Sequence, residues 1–381
     1  MRVKIYTSLD KLMKLRPIWE ELYQASQTDN PFLSWEWNVT WWRHFGRDTL
    51  CVVLVEDSTG PVAVAPLAVH PSGILPAGRP VVTFLSDGPL KPDYMDILGP
   101  ASGVTDTVPA IVGALQRHLR EMPQLKLDGF PGVTPALNEL EKILRTRDIL
   151  VEVIEISKSP FIDTTSGDWE SYFASVSKSL RQDLRTSRNR LNREGLVETI
   201  ERHTELGSDN RVLYQFAEVY QQRQRYRARV GAVHKGTLPF LRELCHLFGQ
   251  RGWLDVAFLK LNGEVAASAL DVRSSRTYYW WLTAFSPKYA RYSPGKLLLE
   301  HLIRNAFETS VQRFDFMLGM EQYKLQWTDR AIPNLRLISY PHAWAQRLDH
   351  TKRRLRLLAQ QARYRSSLVN KLWIRISKYL G

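Results

Sequence analysis

The sequence predicts an α/β (α+β) fold of two similar domains with mixed, mostly antiparallel sheets, followed by a basic helical C-terminal tail. Three observations carry this. The chain has 381 residues, 44% of them hydrophobic, enough for two packed cores. Short β-branched and aromatic runs, bounded by turn residues, alternate with amphipathic stretches. Finally, Gly60 to Val69 and Gly263 to Val272 are identical at five of ten positions, each in a hairpin context. Leu127-Asp128-Gly129-Phe130 likewise corresponds to Phe314-Asp315-Phe316, each after a helix of similar length. The expected divisions are 1–158, 159–340 and a tail, 341–381.

In order, Arg2 to Thr7 alternates as a strand, and Leu9 to Ala25 is amphipathic, with Leu12, Leu15, Ile18, Trp19 and Leu22 on one side. Pro31 to Gly46 holds four of the twelve tryptophans and reads as a helix packing its aromatic face on the sheet, with Trp35 or Trp37 open to a second role in a substrate cleft. Leu50 to Val55 and Val62 to His70 form a hairpin, and Val81 to Leu85 and Tyr94 to Leu98 are short strands. Helix 105–121, strand 125–130, helix 134–147 and strand 150–156 complete the first half. Asp163 to Gly167 is the junction. Helices follow over 168–176, 178–193 and from near Asn210, the last two carrying arginine clusters that suit either a solvated face or an anionic ligand. Trp253 to Leu261 and Glu264 to Arg273 pair through Asn262-Gly263, and Asn334 to Tyr340 is the last strand.

The net charge of +13 is concentrated at one end: from Pro341 onward ten Lys and Arg face one acid, Asp349, so the tail carries +9. The body is only mildly basic and shows no recognition motif, so sequence-specific nucleic-acid binding is not expected. The tail reads as a basic amphipathic helix that lies on an anionic membrane, docks on an envelope complex, or packs on its own body. Cys51 and Cys245 form no framework, no apolar run is long enough to span a bilayer, and the N-terminus lacks a signal-peptide core. The expected location is cytoplasmic, or peripheral at the inner face of the membrane.

The richest stretch is Thr277 to Lys324. A buried strand (277–284) leads through a loop to a helix with Ser293 as its cap, Pro294 at its first position and an apolar face from Leu297 to Phe307. A second strand, Arg313 to Met317, ends in the polar run Leu318 to Lys324. Free backbone N–H groups at that helix start make Ser293 to Lys296 an anion cradle. Gly295-Lys296 lacks the remaining residues of a nucleotide phosphate loop, no G-x-S-x-G elbow exists, and no zinc or haem spacing occurs. Group transfer from a phosphate-bearing carrier, without a metal, is what remains.

At these residues the sequence resembles GNAT-fold acyltransferases, and across residues 5 to 340 the tandem CelD/BioF-like acetyltransferases, relatives of Fem-type peptidyltransferases. The resemblance rests on Phe32-Leu33-Ser34 with Trp41 to Gly46, Asp93-Tyr94-Met95-Asp96, Ser177 to Arg181 with Arg188 to Leu191, Tyr292 to Gly295, and Phe314-Asp315-Phe316 followed by Gly319 and Tyr323 to Trp327. It implies two GNAT-like domains; the first, lacking a counterpart of the Ser293 to Lys296 turn before Thr105, is expected to bind no cofactor. It also implies acyl-CoA as co-substrate, an amine acceptor of small-molecule, saccharide or peptide type, and a role in cell-envelope or exopolysaccharide synthesis. The donor site implied is Thr283, Ser293, Gly295 and Lys296. Tyr323 is the implied general acid, Glu321 the base and Asp315 a second base candidate. Trp35, Asp93, Tyr94, Asp96, Trp281 and Lys324 are the implied substrate contacts. The usual cradle has two glycines, whereas here only Gly295 is present and Pro294 removes an N–H; this leaves room for another carrier, such as aminoacyl-tRNA, and for a non-catalytic scaffold.

Overall fold

A computed structural model describes residues 1–71, 79–227 and 231–365. The first half runs β1 (Arg2–Tyr6), α1 (Leu9–Lys14), α2 (Arg16–Ala25), α3 (Trp35–Phe45), β2 (Thr49–Leu50), β3 (Val52–Glu56), β4 (Pro61–Ala65), β5 (Leu67–His70), β6 (Val81–Phe84), α4 (Ala101–Leu119), β7 (Gln124–Pro131), α5 (Pro135–Thr146) and β8 (Leu150–Asp163). The second runs α6 (Trp169–Ser175), α7 (Lys178–Arg193), β9 (Glu198–His203), α8 (Arg211–Tyr226), α9 (Leu238–Gln250), β10 (Leu254–Leu261), β11 (Glu264–Arg273), β12 (Thr277–Phe285), α10 (Pro294–Phe307), β13 (Arg313–Asp315), α11 (Gln322–Leu325) and β14 (Ala331–Tyr340). Then comes α12 (Ala343–Arg365).

Eleven strands form one sheet, in the order β2-β5-β6-β7-β14-β8-β13-β12-β11-β10-β9, and β1-β3-β4 form a small second one. Neighbours are antiparallel except β6 with β7 and β12 with β13. A parallel pair needs a crossover, and each of these two is bridged by one helix, α4 in the first half and α10 in the second. The repeated segments Leu127 to Phe130 and Phe314 to Phe316 are the second strands of these two units, with Phe316 just past the end of β13. The halves share strands: β14, last in sequence, inserts between β7 and β8. The boundary expected at 158 falls inside β8, whose residues 150–160 pair with β14 and 161–163 with β13.

Several expectations differ from the structure. Leu9 to Ala25 is two helices, broken at Leu15. Val62 to His70 breaks at Pro66, which has no N–H for a ladder, so β4 joins the small sheet and β5 the large one. Tyr94 to Leu98 is not a strand: beyond a single bridge from Leu98 to Val64, its backbone is held by Gly129 O on Met95 N and by the Asn334 side chain on Asp93 O. β9 and α9 lie in stretches where no element was expected. The tryptophan-rich α3 packs mainly on α9, with Trp37 edge-on to Phe240 of α9 and to Trp281 of β12.

Candidate active site

The site arises where two strands part. β12 pairs with β13 only from Thr277 to Tyr279. β13 is then ended by its own last residue: Asp315 Oδ1 accepts from Met317 N–H at 2.8 Å, and Met317 takes a positive φ of 59°. Past Tyr279, β12 runs on to Phe285 without that neighbour, and a cavity of about 280 Å³ opens beside it. Trp280, Thr283 and Phe285 of β12, Ser268 of β11, Arg223 of α8 and Arg227 just past its end, the start of α10 and Tyr323 of α11 line it.

The cavity is cationic at its mouth. Arg223 and Arg227 stand over the Phe285 ring at 5.2 and 5.9 Å, and Arg223 Nη1 donates to Thr283 O at 2.8 Å. At α10, Pro294 occupies the first helical position as expected, but Ser293 does not cap with its side chain. Ser293 instead adopts a left-handed backbone, φ 52°, and its carbonyl takes Lys296 N–H at 2.9 Å. This leaves Gly295 N–H without a hydrogen-bond partner among the described residues, at the positive end of a 14-residue helix. A Cβ on Gly295 would meet only the Phe285 ring, at 3.8 Å, so the space in front of the cradle is open. Lys296 Nζ reaches Asp183 of α7 at 2.8 Å. Among the described residues no carboxylate lines the cavity.

Its inner wall carries a buried polar atom, Ser268 Oγ, that has no hydrogen-bond partner among the described residues, beside the Trp280 indole, which bears on the Tyr323 hydroxyl. Such a buried hydroxyl is costly unless a ligand or water meets it. Burial, with the Glu321 carboxylate second, pushes the Tyr323 phenol up to about 12, and the nearby Trp280 indole and Arg223 act the other way. Tyr323 is therefore protonated at neutral pH and able to donate.

The segment that carries this cavity has known relatives. Residues 178–325 match the family described as Acetyltransferase (GNAT) domain. This is less than half of the chain. Over 89% of its length the chain is similar in fold to FemX, with TM-score 0.61, 12% identity and 97% of that chain covered. It is similar too to the C-terminal domain of a protein proposed to be a lysylphosphatidylglycerol synthetase from Agrobacterium fabrum, with TM-score 0.53, 12% identity and 94% of that chain covered. A conserved protein of unknown function from Bacteroides thetaiotaomicron gives TM-score 0.54 at 11% identity, over 89% of this chain and 99% of that one. No curated protein matches. The GNAT-type segment runs from α7 to α11 and so includes every residue named in the cavity wall.

Of the residues singled out in the sequence, Thr283, Ser293, Gly295, Lys296 and Tyr323 come together in the cavity wall. Glu321 is exposed beside it, 2.9 Å from Lys324. The Lys324 ammonium is buried and also donates to Met317 O and Leu318 O, so its three donors are taken up by the turn. Asp315 does not line the cavity; both its oxygens are engaged, by Met317 N–H and by Tyr94 O–H. Asp93 accepts from Leu318 N–H, and Tyr94 and Asp96 line a separate, wider cleft of about 610 Å³ between the halves. Trp35 is buried with its indole on Leu12 O, and Trp281 packs on Phe32 and Trp37; neither lines the cavity. Ser268 and Trp280 were not anticipated. A lone serine in an apolar strand was the only hint of the first, and the second sat unmarked in an aromatic run. Arg223 and Arg227 belong to a cluster noted in the sequence, and Arg229 of that cluster lies outside the described residues.

Proposed function

We propose that the protein is an N-acyltransferase that moves an acyl group from acyl-CoA to an amine acceptor in cell-envelope or exopolysaccharide synthesis. The observation that carries this reading is the cavity at the β12–β13 parting. It joins a helix N-terminus and three cations, suited to a pyrophosphate, to a protonated tyrosine. In the reaction the amine nitrogen attacks the thioester carbonyl and loses a proton, the C–S bond breaks, and the thiolate leaves with a proton. Tyr323 supplies that last proton. Glu321 takes the proton from the amine, and its exposure beside the cavity leaves it open to an incoming acceptor. The wider cleft between the halves, with Tyr94 and Asp96, receives the rest of the acceptor. Calorimetric titration of the full chain with a panel of acyl-CoAs tests the reading: saturable binding supports it, and absence of binding by every member rejects it.

A second reading replaces the donor with an aminoacyl-tRNA. Lys178, Arg181, Arg185 and Arg193 of α7 are exposed and make no ion pair among the described residues, while α7 is tied to the cavity by Lys296 to Asp183 and by Arg190 to Arg291 O. Transfer from a charged tRNA, together with silence toward acyl-CoA, selects this alternative.

A further inference from the structure

The α12 helix has two faces of opposite character. One is tied to the body. Gln346, His350 and Arg353 all bond to the Glu152 carboxylate of β8, and Asp349 accepts from the Tyr340 hydroxyl at 2.8 Å. The other points away. Trp344, Leu348, Leu355 and Leu358 are 56%, 43%, 60% and 53% exposed, among the most exposed large apolar side chains of the protein. At roughly 100° per residue these four fall within an arc of about 80°, and the residues that meet Glu152 lie on the opposite side. Exposed Arg347 and Arg354 flank the stripe on one side and exposed Lys352 on the other, and none makes an ion pair among the described residues.

We infer that α12 is an interfacial helix that lays this stripe on an anionic lipid surface and holds the body against it. The charge arrangement selects the occupant. An apolar stripe between basic flanks matches a bilayer in which acyl chains lie beneath anionic headgroups. A second copy of the chain is disfavoured, because an isologous pairing of two such stripes brings the basic flanks together. The segment that follows, 366–381, adds Lys371, Arg375 and Lys378 and no acid. Among the described residues no helix is long and apolar enough to cross a membrane, so the contact is peripheral. The inference goes beyond acyl transfer and does not depend on it.

The test is co-sedimentation of the full chain with vesicles of phosphatidylcholine alone or mixed with phosphatidylglycerol. The expected result is binding to the anionic vesicles only, weakened by salt. Leu348→Glu with Leu355→Glu should abolish it, and Arg347→Glu with Arg354→Glu should weaken it by roughly fivefold or more per residue. All four side chains are exposed, so thermal unfolding should match the parent. Three results overturn the inference: equal binding to neutral vesicles, anionic binding that survives Leu348→Glu with Leu355→Glu, or a concentration-dependent oligomer that those substitutions dissolve while no vesicle binds.

Discussion

The Tyr94 hydroxyl donates to Asp315 Oδ2 at 2.8 Å, and both side chains are buried. Tyr94 comes from the first half and Asp315 ends β13, so this bond fastens the first half to the turn that leads to Tyr323. The Asp93 carboxylate on Leu318 N–H and the Asn334 amide on Asp93 O reinforce the same seam. Tyr94→Phe removes the donor and leaves a buried carboxyl oxygen unmet. Urea unfolding should show a loss of about 1–3 kcal/mol.

Asp315 also makes this seam pH-sensitive. Burial raises its carboxyl to about 7, against the Tyr94 and Met317 hydrogen bonds that favour the ionised form. In the unfolded chain an aspartate titrates near ~3.9. Between these values the folded protein holds a proton that the unfolded one has released, so this contribution is complete below about pH 4 and is lost as pH rises through about 7. Asp315→Asn, neutral at every pH, should flatten the fall in melting temperature between pH 5 and pH 8. An unchanged slope in the variant would show that Asp315 does not titrate there.

Gly295 separates binding from folding. A methyl group there meets nothing closer than 3.8 Å and replaces a poor helix former, so Gly295→Ala should leave stability equal or up to ~1 kcal/mol higher. The same methyl adds bulk to the cavity wall where a donor pyrophosphate would lie. Acyl-CoA affinity should fall on the order of tenfold, read by calorimetry; parent-like affinity would move the pyrophosphate elsewhere.

Tyr323→Phe tests the proton donor. With burial holding the phenol at about 12, loss of the hydroxyl removes a protonated donor together with its contact to the Trp280 indole. The turnover rate should drop on the order of 100-fold while the KM for donor stays within about twofold.

Local chemistry explains which parts of this molecule were legible in its sequence. Asn262-Gly263 marks the β10–β11 hairpin, with positive φ at both residues, and Pro294 marks the first turn of α10. Ser293, Gly295, Lys296 and Tyr323 could be singled out together because they sit on one short continuous stretch, and they line one cavity. What stayed hidden depends on distant partners. Nothing near β14 announces that it inserts between β7 and β8, because that register is set by strands some 200 residues earlier. That Lys324 is a buried cation becomes visible only when the carbonyls of Met317 and Leu318 fold back on it. Ser268 became visible only when β12 parted from β13.

Gly319 decides whether Glu321 acts as the base. It has a φ of 113°, which L side chains rarely adopt, and a Cβ there would lie 2.6 Å from Glu321 Oε2 and 2.9 Å from Oε1. Gly319→Ala therefore strains the turn, by about 1–3 kcal/mol, and forces the carboxylate away from its place beside Lys324. Lys324 keeps its two carbonyl partners, so the turn and Tyr323 should persist and donor affinity should match the parent. Glu321→Gln removes the charge without moving the backbone. If Glu321 takes the amine proton, both variants lose rate to a similar extent, and raising the pH, which deprotonates the amine in solution, recovers part of it in each. If Gly319→Ala turns over as fast as the parent, the proton leaves by another route and Glu321 serves only to pair with Lys324.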